Sequence, residues 1–377
     1  MKSPLRLLCD SNPMCYGSSA ALVSILDHVA DCQRTAIADG VTLELLGRDE
    51  AIDEIVNVNP KNSVAVAAAL ADRTFDAVLV VSNLSNIELY AQRGFPIFFV
   101  DILYWMGAAK VQPVWNLAEA TFVEAFPGVA ERLDSGQTLG KPMLVGPLIR
   151  TRPVTSSTAS RTDVLVNLGG GRSRLIVPGV NSAYAQMVLS WLHAAGLADS
   201  RRVTVAGGKE AILDAGSAQH ASKFELGSLP QEKFLELLGG AGLYLTVPGL
   251  NAVHEGLAAG VPLGFLPPQN ATQVLQLQRY EDAGLIEPGL NLPALDPKFD
   301  TTILEGSEDE LTAEVLQSLG RIERDVATMP TVARHLRQQE ASWPERAVAC
   351  ARFRERLGPP GGADVATTIR TWWEKAC

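Results

Sequence analysis

The chain is poor in the residues that staple folds, bind metals or cross membranes. Its five cysteines, Cys9, Cys15, Cys32, Cys350 and Cys377, are odd in number, widely spaced and form no CxxC pair. Such usage speaks against a disulfide scaffold and fits small core residues in a reducing, cytoplasmic compartment. The five histidines show no metal-ligand spacing, and there is no Asp-X-Asp motif, so no metal site is expected. Basic charge is scarce too: 32 Lys and Arg stand against 42 Asp and Glu, a net charge of −10. Binding to nucleic acid needs clustered Lys and Arg and is not expected, whereas a single nucleotide needs only a few local donors. No uninterrupted apolar run is long enough to span a bilayer. The richest, FPIFFVDILYWM (95–106), carries Asp101 inside it and reads as a buried strand with its loop. The opening MKSPLRLLCDSNP has too short an apolar run for a signal peptide, and Asp10 interrupts it.

What is present is α/β periodicity. At 377 residues the chain exceeds one typical domain, and 47% apolar with 20% charged residues suits a soluble globular enzyme. Short apolar runs at 5–9, 77–83, 96–101 and 143–147 alternate with helix-period segments, and after 163 the pattern restarts at 164–171, 202–208, 243–249 and 261–267. The Ser- and Thr-rich stretch TRPVTSSTASRTD (151–163) separates the halves. Two Rossmann-like doubly wound domains facing a cleft are therefore expected, with ligands at the ends of parallel strands. The expected boundaries are 1–150, a linker at 151–163, a second domain at 164–361 and a C-terminal helix at 362–377. Two helical patterns in the tail, 344–357 and 363–376, flank GPPGG.

Two stretches carry candidate chemistry. Gly169, Gly170 and Gly171 follow a strand, precede a helix and are followed by Arg172. Glycines admit close backbone approach and free N–H groups at a helix start favour an anion, although the same turn also fits a ligand-free strand–helix junction. VPGLNAVHEGLAAGVPLGFLP (247–267) places Gly249 at a turn, Asn251 where it would cap a helix, and Glu255 one turn on. Glu255 is either a solvated helix residue or a carboxylate that accepts two hydrogen bonds from a sugar diol.

The region 229–273, from Pro230 and Gln231 through Gly249, Asn251, Glu255 and Gly260-Val261-Pro262 to Gln273, resembles the donor-binding signature of glycosyltransferase-B-fold enzymes. The relatives it suggests are UDP-sugar glycosyltransferases of small-molecule metabolism and the GlcNAc transferase of peptidoglycan synthesis. By that resemblance Glu255 holds the ribose hydroxyls and Gln231 lies beside the base. The helix start at Gly249–Ala252 and the Gly169–Gly171 turn hold the diphosphate, with Arg172 adding charge, and Gln273 contacts the donor sugar. The resemblance also has the C-terminal helix, with Trp372 and Trp373, pack back on the first domain. Departures stand at Val247 and Ala252, where relatives carry His and Ser, at Ser228 in place of a Trp, and at Thr272 in place of an acid. The loop SNPMCYGSS lacks the His that serves as base in relatives.

The expected function is inverting, metal-independent transfer of a sugar from a nucleotide diphosphate donor, UDP by resemblance, to a small-molecule acceptor, with no cofactor. A sugar-nucleotide hydrolase or epimerase of the same fold, or a non-catalytic sugar-nucleotide-binding partner, remains as an alternative. The aromatic loop after 101, with Tyr104 and Trp105, is expected to bind the acceptor. Asp101 is the expected base and Asp10 its alternative, because both end apolar strands, where a sheltered carboxyl has a raised pKa. The acceptor, the sugar and the oligomeric state are not legible in the sequence.

Overall fold

Apolar runs flanked by turn residues become parallel strands here because crossover helices cover both faces of each sheet. The computed structural model describes residues 3–14, 16–107, 113–135, 141–151, 163–170, 182–199 and 201–376. The chain divides into two units, Met1–Arg150 with Leu357–Cys377, and Thr151–Arg356.

In the first unit β1 (Leu5–Ser11), β2 (Cys32–Ala38), β3 (Glu54–Asn57), β4 (Ala77–Val81), β5 (Ile97–Asp101), β6 (Ala120–Glu124) and β7 (Met143–Val145) form one parallel sheet in the order β3-β2-β1-β4-β5-β6-β7. The strands alternate with α1 (Tyr16–Leu26), α2 (Gly40–Leu46), α3 (Ser63–Ala69), α4 (Ile87–Gln92), α5 (Val114–Leu117) and α6 (Val129–Asp134). Every residue of β4 and β5 is buried, which explains why these two runs are apolar apart from the terminal Asp101. In the second unit β8 (Val164–Asn167), β9 (Val203–Ala206), β10 (Glu225–Gly227), β11 (Leu243–Thr246) and β12 (Leu263–Phe265) are ordered β10-β9-β8-β11-β12, again all parallel. Its helices are α7 (Ser182–Ala194), α8 (Lys209–Gly216), α9 (Gln231–Gly240), α10 (Leu250–Ala259), α11 (Ala271–Asp282), α12 (Leu292–Leu295), α13 (Glu308–Arg324), α14 (Thr328–Ala341) and α15 (Trp343–Leu357). In both sheets the strand order reverses beside the first strand, between β1 and β4 and between β8 and β11. Such reversals open the crevice where doubly wound sheets take ligands.

The terminal helix α16 (Gly362–Ala376) belongs to the first unit, and Trp372 meets Phe98 edge-on with ring centroids 5.4 Å apart. Leu357–Gly361, assigned to the second domain from sequence, also belong to the first unit. The cause is backbone contact: Gly361 N donates to Pro147 O (3.0 Å), and a side chain at Gly146 would overlap Pro359 O. No helix among the described residues is long and apolar enough to cross a membrane.

The edge of the second sheet is closed by side chains. Gln339 on α14 accepts from Phe265 N at Oε1 (2.6 Å) and donates from Nε2 to Phe265 O (2.9 Å), as a neighbouring strand would. Arg346 on α15 donates to Leu263 O (2.6 Å). Each buried backbone group left unpaired costs about 1–3 kcal/mol, so Gln339→Leu is expected to destabilise the second unit by about 2–4 kcal/mol. Urea denaturation measures this, and a loss under about 0.5 kcal/mol would show that the edge is satisfied some other way.

Candidate active site

At the end of β8 the chain turns through Leu168, Gly169 and Gly170. Gly169 adopts φ +68, which only glycine holds without strain. Asn167 fixes this turn from below: its Oδ1 accepts from Gly169 N (2.8 Å) and its Nδ2 donates to Tyr244 Oη (2.9 Å) on β11. Gly169 O accepts from Gly208 N (2.9 Å), and a side chain at Gly208 would run into Gly170 O. After β12, Gln269 donates from Nε2 to Leu168 O (2.7 Å) and from its backbone N to Gln273 Oε1 (3.0 Å). The carboxyl ends of β8, β9, β11 and β12 are thereby tied around one glycine turn. Gly171 and Arg172 lie outside the described residues.

α10 starts at the neighbouring strand end. Asn251 is not the cap: Gly249 is the N-cap residue and makes no side-chain cap, and Asn251 and Ala252 lie inside the first turn. Gly249 has φ −85, so its freedom of conformation is not used; a Cβ there would meet nothing within 4 Å. The glycine keeps space open before the first-turn N–H groups and offers them no side-chain cap, the arrangement in which helix starts take anions. α9 likewise begins after Pro230 with no side-chain cap.

Glu255, on the second turn of α10, is 8% exposed. Its one hydrogen-bond donor among the described residues is Gln231 Nε2, the first residue of α9, at a long 3.4 Å. Burial outweighs this weak bond and pushes the carboxyl up to about 7. Gln231 and Glu255 thus meet between α9 and α10, and Gly249 stands at the start of the helix that carries Glu255. Gln273 lies in the first turn of α11, but its Oε1 is taken by Gln269 N, which leaves only its amide N–H groups for a ligand. Gln269, Asn167 and Tyr244 were not singled out from sequence, because nothing in their neighbourhoods marks side chains that bond across strands.

In the first unit the two candidate bases part ways. Asp10 is fully buried, with Oδ1 accepting from Asn83 Nδ2 (2.7 Å) and Oδ2 from Asn86 Nδ2 (2.9 Å) and Tyr90 Oη (2.7 Å). Burial still raises its pKa to about 6. Both oxygens are committed to the scaffold, so Asp10 is a tie between β1, β4 and α4, and the expectation that it serves as a base is withdrawn. Asp101 ends β5, also buried, and its Oδ1 accepts from Leu103 N (2.8 Å). Burial raises it to about 6, partly offset by that N–H, by Ser82 and by the Arg132 charge.

Tyr104 and Trp105 are only 1% and 5% exposed. Tyr104 meets Trp115 edge-on at 5.9 Å between centroids, and Trp105 packs on Phe126 at 4.8 Å. They are core aromatics, which corrects their assignment as acceptor-binding residues: Trp115 and Phe126 supply the apolar partners that turn them inward. Among the described residues no group of three or more His, Cys, Asp or Glu is placed to hold a metal ion.

Solved structures similar to this chain include UGT89C1 of Arabidopsis thaliana complexed with UDP, at TM-score 0.60 and 15% identity over 97% of this chain and 98% of that one. UGT2 of Phytolacca americana, complexed with UDP-2-fluoro-glucose and pterostilbene, matches at TM-score 0.58 and 12% identity over 98% and 100%. A UDP-glucose:anthocyanidin 3-O-glucosyltransferase in complex with UDP matches at TM-score 0.54 and 13% identity over 98% and 98%. This chain has the glycosyltransferase-B fold. No protein-family model and no curated protein matches the sequence. Within this glycosyltransferase-B fold, the glycine turn, the uncapped α10 start and Glu255 all stand at the β8/β11 reversal.

The raised pKa of Glu255 makes the second unit sensitive to pH. A carboxyl whose folded pKa lies above its unfolded value of 4.5 contributes stability that is complete below 4.5 and lost as pH rises through about 7. Stability of the unliganded protein is therefore expected to fall between pH 5 and 8 by on the order of 2 kcal/mol more in wild type than in Glu255→Gln. Parallel pH profiles of the two urea midpoints would remove Glu255 as the cause.

Proposed function

We propose that the protein is a glycosyltransferase that moves a sugar from a nucleotide diphosphate donor to a small-molecule acceptor. The observation that carries this reading is Glu255: a buried carboxyl with one weak donor, one turn beyond an uncapped helix start that faces open space. A ribose diol supplies the two O–H donors this carboxyl lacks, and the diphosphate meets the N–H groups of α10 and the Gly169 turn. UDP is the proposed donor, supported by the nucleotide named for the similar solved structures.

The chemistry follows from these placements. Helix-start N–H groups and the α10 dipole stabilise charge that develops on the departing diphosphate, so no metal is required for that step. Asp101 takes the acceptor proton, and direct displacement at the anomeric carbon inverts its configuration. The one histidine of the first unit, His28, follows α1 at the far end from the strand carboxyl termini and lies against Gly362. The first unit thus offers Asp101 no imidazole, which favours an acceptor that is acidic or already nucleophilic when neutral, such as an amine.

Two measurements check this. Glu255→Ala is expected to weaken UDP binding at least about tenfold, some 1.4 kcal/mol, with the fold intact. In wild type, affinity should rise from pH 6 to 8 as the carboxyl ionises, with proton release on binding; calorimetry that finds neither effect overturns the ribose assignment. In single-turnover transfer with saturating donor, Asp101→Asn is expected to lose about a hundredfold with donor binding unchanged. Diphosphate release without any acceptor would move the reading to a hydrolase.

A further inference from the structure

Two glutamines at the edge of the glycine turn each keep one polar atom unused. Gln269, after β12, is 7% exposed, and Gln273, in the first turn of α11, is 8% exposed. Gln269 Nε2 donates to Leu168 O (2.7 Å), and Gln273 Oε1 accepts from Gln269 N (3.0 Å). These bonds fix which way each amide faces. Turned over, Gln269 would set oxygen against a carbonyl oxygen, and Gln273 would set N–H against N–H. What is left is an acceptor, Gln269 Oε1, and a donor, Gln273 Nε2. Neither atom has a hydrogen-bond partner among the described residues, and neither belongs to the polar atoms sealed off from solvent. The pair adjoins the turn directly, since a Cβ on Gly169 would stand 3.6 Å from Gln269 Nε2. Asn270 holds the two in register: its Oδ1 accepts from Gln273 N (2.9 Å) and caps α11.

We infer that Gln269 is a specificity-determining residue, and that with Gln273 it reads an uncharged hydroxyl of the donor sugar. This rests on the reading of the second unit as a sugar-nucleotide site. The diphosphate is assigned to the Gly169 turn and the ribose to Glu255, so the sugar is the remaining part of the donor that comes beside the turn. A hydroxyl both donates and accepts, and therefore satisfies Gln269 Oε1 and Gln273 Nε2 together. A carboxylate only accepts and would set a charged oxygen against Gln269 Oε1. An ammonium only donates and would leave Gln273 Nε2 unpaired, and a deoxy position satisfies neither. A site whose own buried polar groups are left unpaired by an analogue rejects that analogue strongly. Every group that bonds the two glutamines is neutral, so no charge in these contacts favours a charged sugar substituent.

The test is calorimetry on the full chain with UDP, UDP-glucose and UDP-galactose, then with the monodeoxy analogues of the hexose donor that binds more tightly. Loss of one hydroxyl is expected to weaken binding about tenfold or more, and an amino group at that same position to do likewise. Gln269→Met and Gln273→Met should each bind the parent hexose donor about tenfold more weakly and no longer respond to that deoxygenation, with UDP affinity unchanged. Gln273→Glu keeps an oxygen for Gln269 N and exchanges the donor for an acceptor, so it should bind the amino analogue better than the parent. That variant and the deoxy series on wild type decide the matter if either Met variant fails to fold. Monodeoxy analogues that all bind like the parent, or a deoxygenation felt as strongly by the variants as by wild type, overturn the inference. Binding of UDP with neither hexose donor overturns it too, and leaves the nucleotide reading standing. A protein that does not bind UDP removes that reading and the inference with it.

Discussion

Withdrawal of water from Glu255 is the constraint on which the second unit turns. A carboxyl in water is satisfied by solvent; at this position α10 and β11 remove the solvent and Gln231 returns a single long bond. The cost is tolerated because the helix must lie flat on the sheet: a Cβ at Gly256, the next residue, would stand 2.9 Å from the Tyr244 ring. Tyr244 in turn positions Asn167, and Asn167 holds the Gly169 turn. One packing contact therefore fixes both the depth of the carboxyl and the shape of the turn beside it.

The two sheets share a strand order around their first strands, yet they use the reversal differently. In the second unit the strand ends expose backbone: a glycine in the left-handed region, a glycine N-cap and helix starts without side-chain caps. Backbone N–H groups recognise phosphate without side-chain charge, which fits a chain whose net charge is −10. In the first unit the corresponding ends carry side-chain carboxyls and amides instead, which suits proton handling more than anion binding.

Asp10 and Asp101 show how two carboxyls with similar titration come to different surroundings. Both are buried, and both are raised to about 6 by the same cause. Asp10 meets three side-chain donors from one side of the sheet, among them Tyr90, and serves as a structural tie. Asp101 meets one backbone donor, Leu103 N, which leaves acceptor capacity for another proton. A raised pKa marks desolvation in both; the count of donors is what separates them.

By itself the sequence determined the α/β alternation, because short continuous apolar runs and 3.6-period segments are local properties of the chain. It also marked Gln231, Gly249 and Glu255 as candidates, because their spacing across a helix–strand–helix unit is a linear pattern. The strands β2, β3 and β6 were less legible, since CQRTAIA, EIVN and ATFVE mix polar and apolar residues near the sheet flanks. Only the tertiary structure decided that Tyr104 and Trp105 turn inward, because Trp115 and Phe126 approach from later segments. It alone showed that Asp10 is spent on residues more than seventy positions away, and that Gln269 and Ser82 reach across strand ends. Hydrogen bonds between distant segments leave no periodic trace in the chain, so they become visible only when the strands lie side by side.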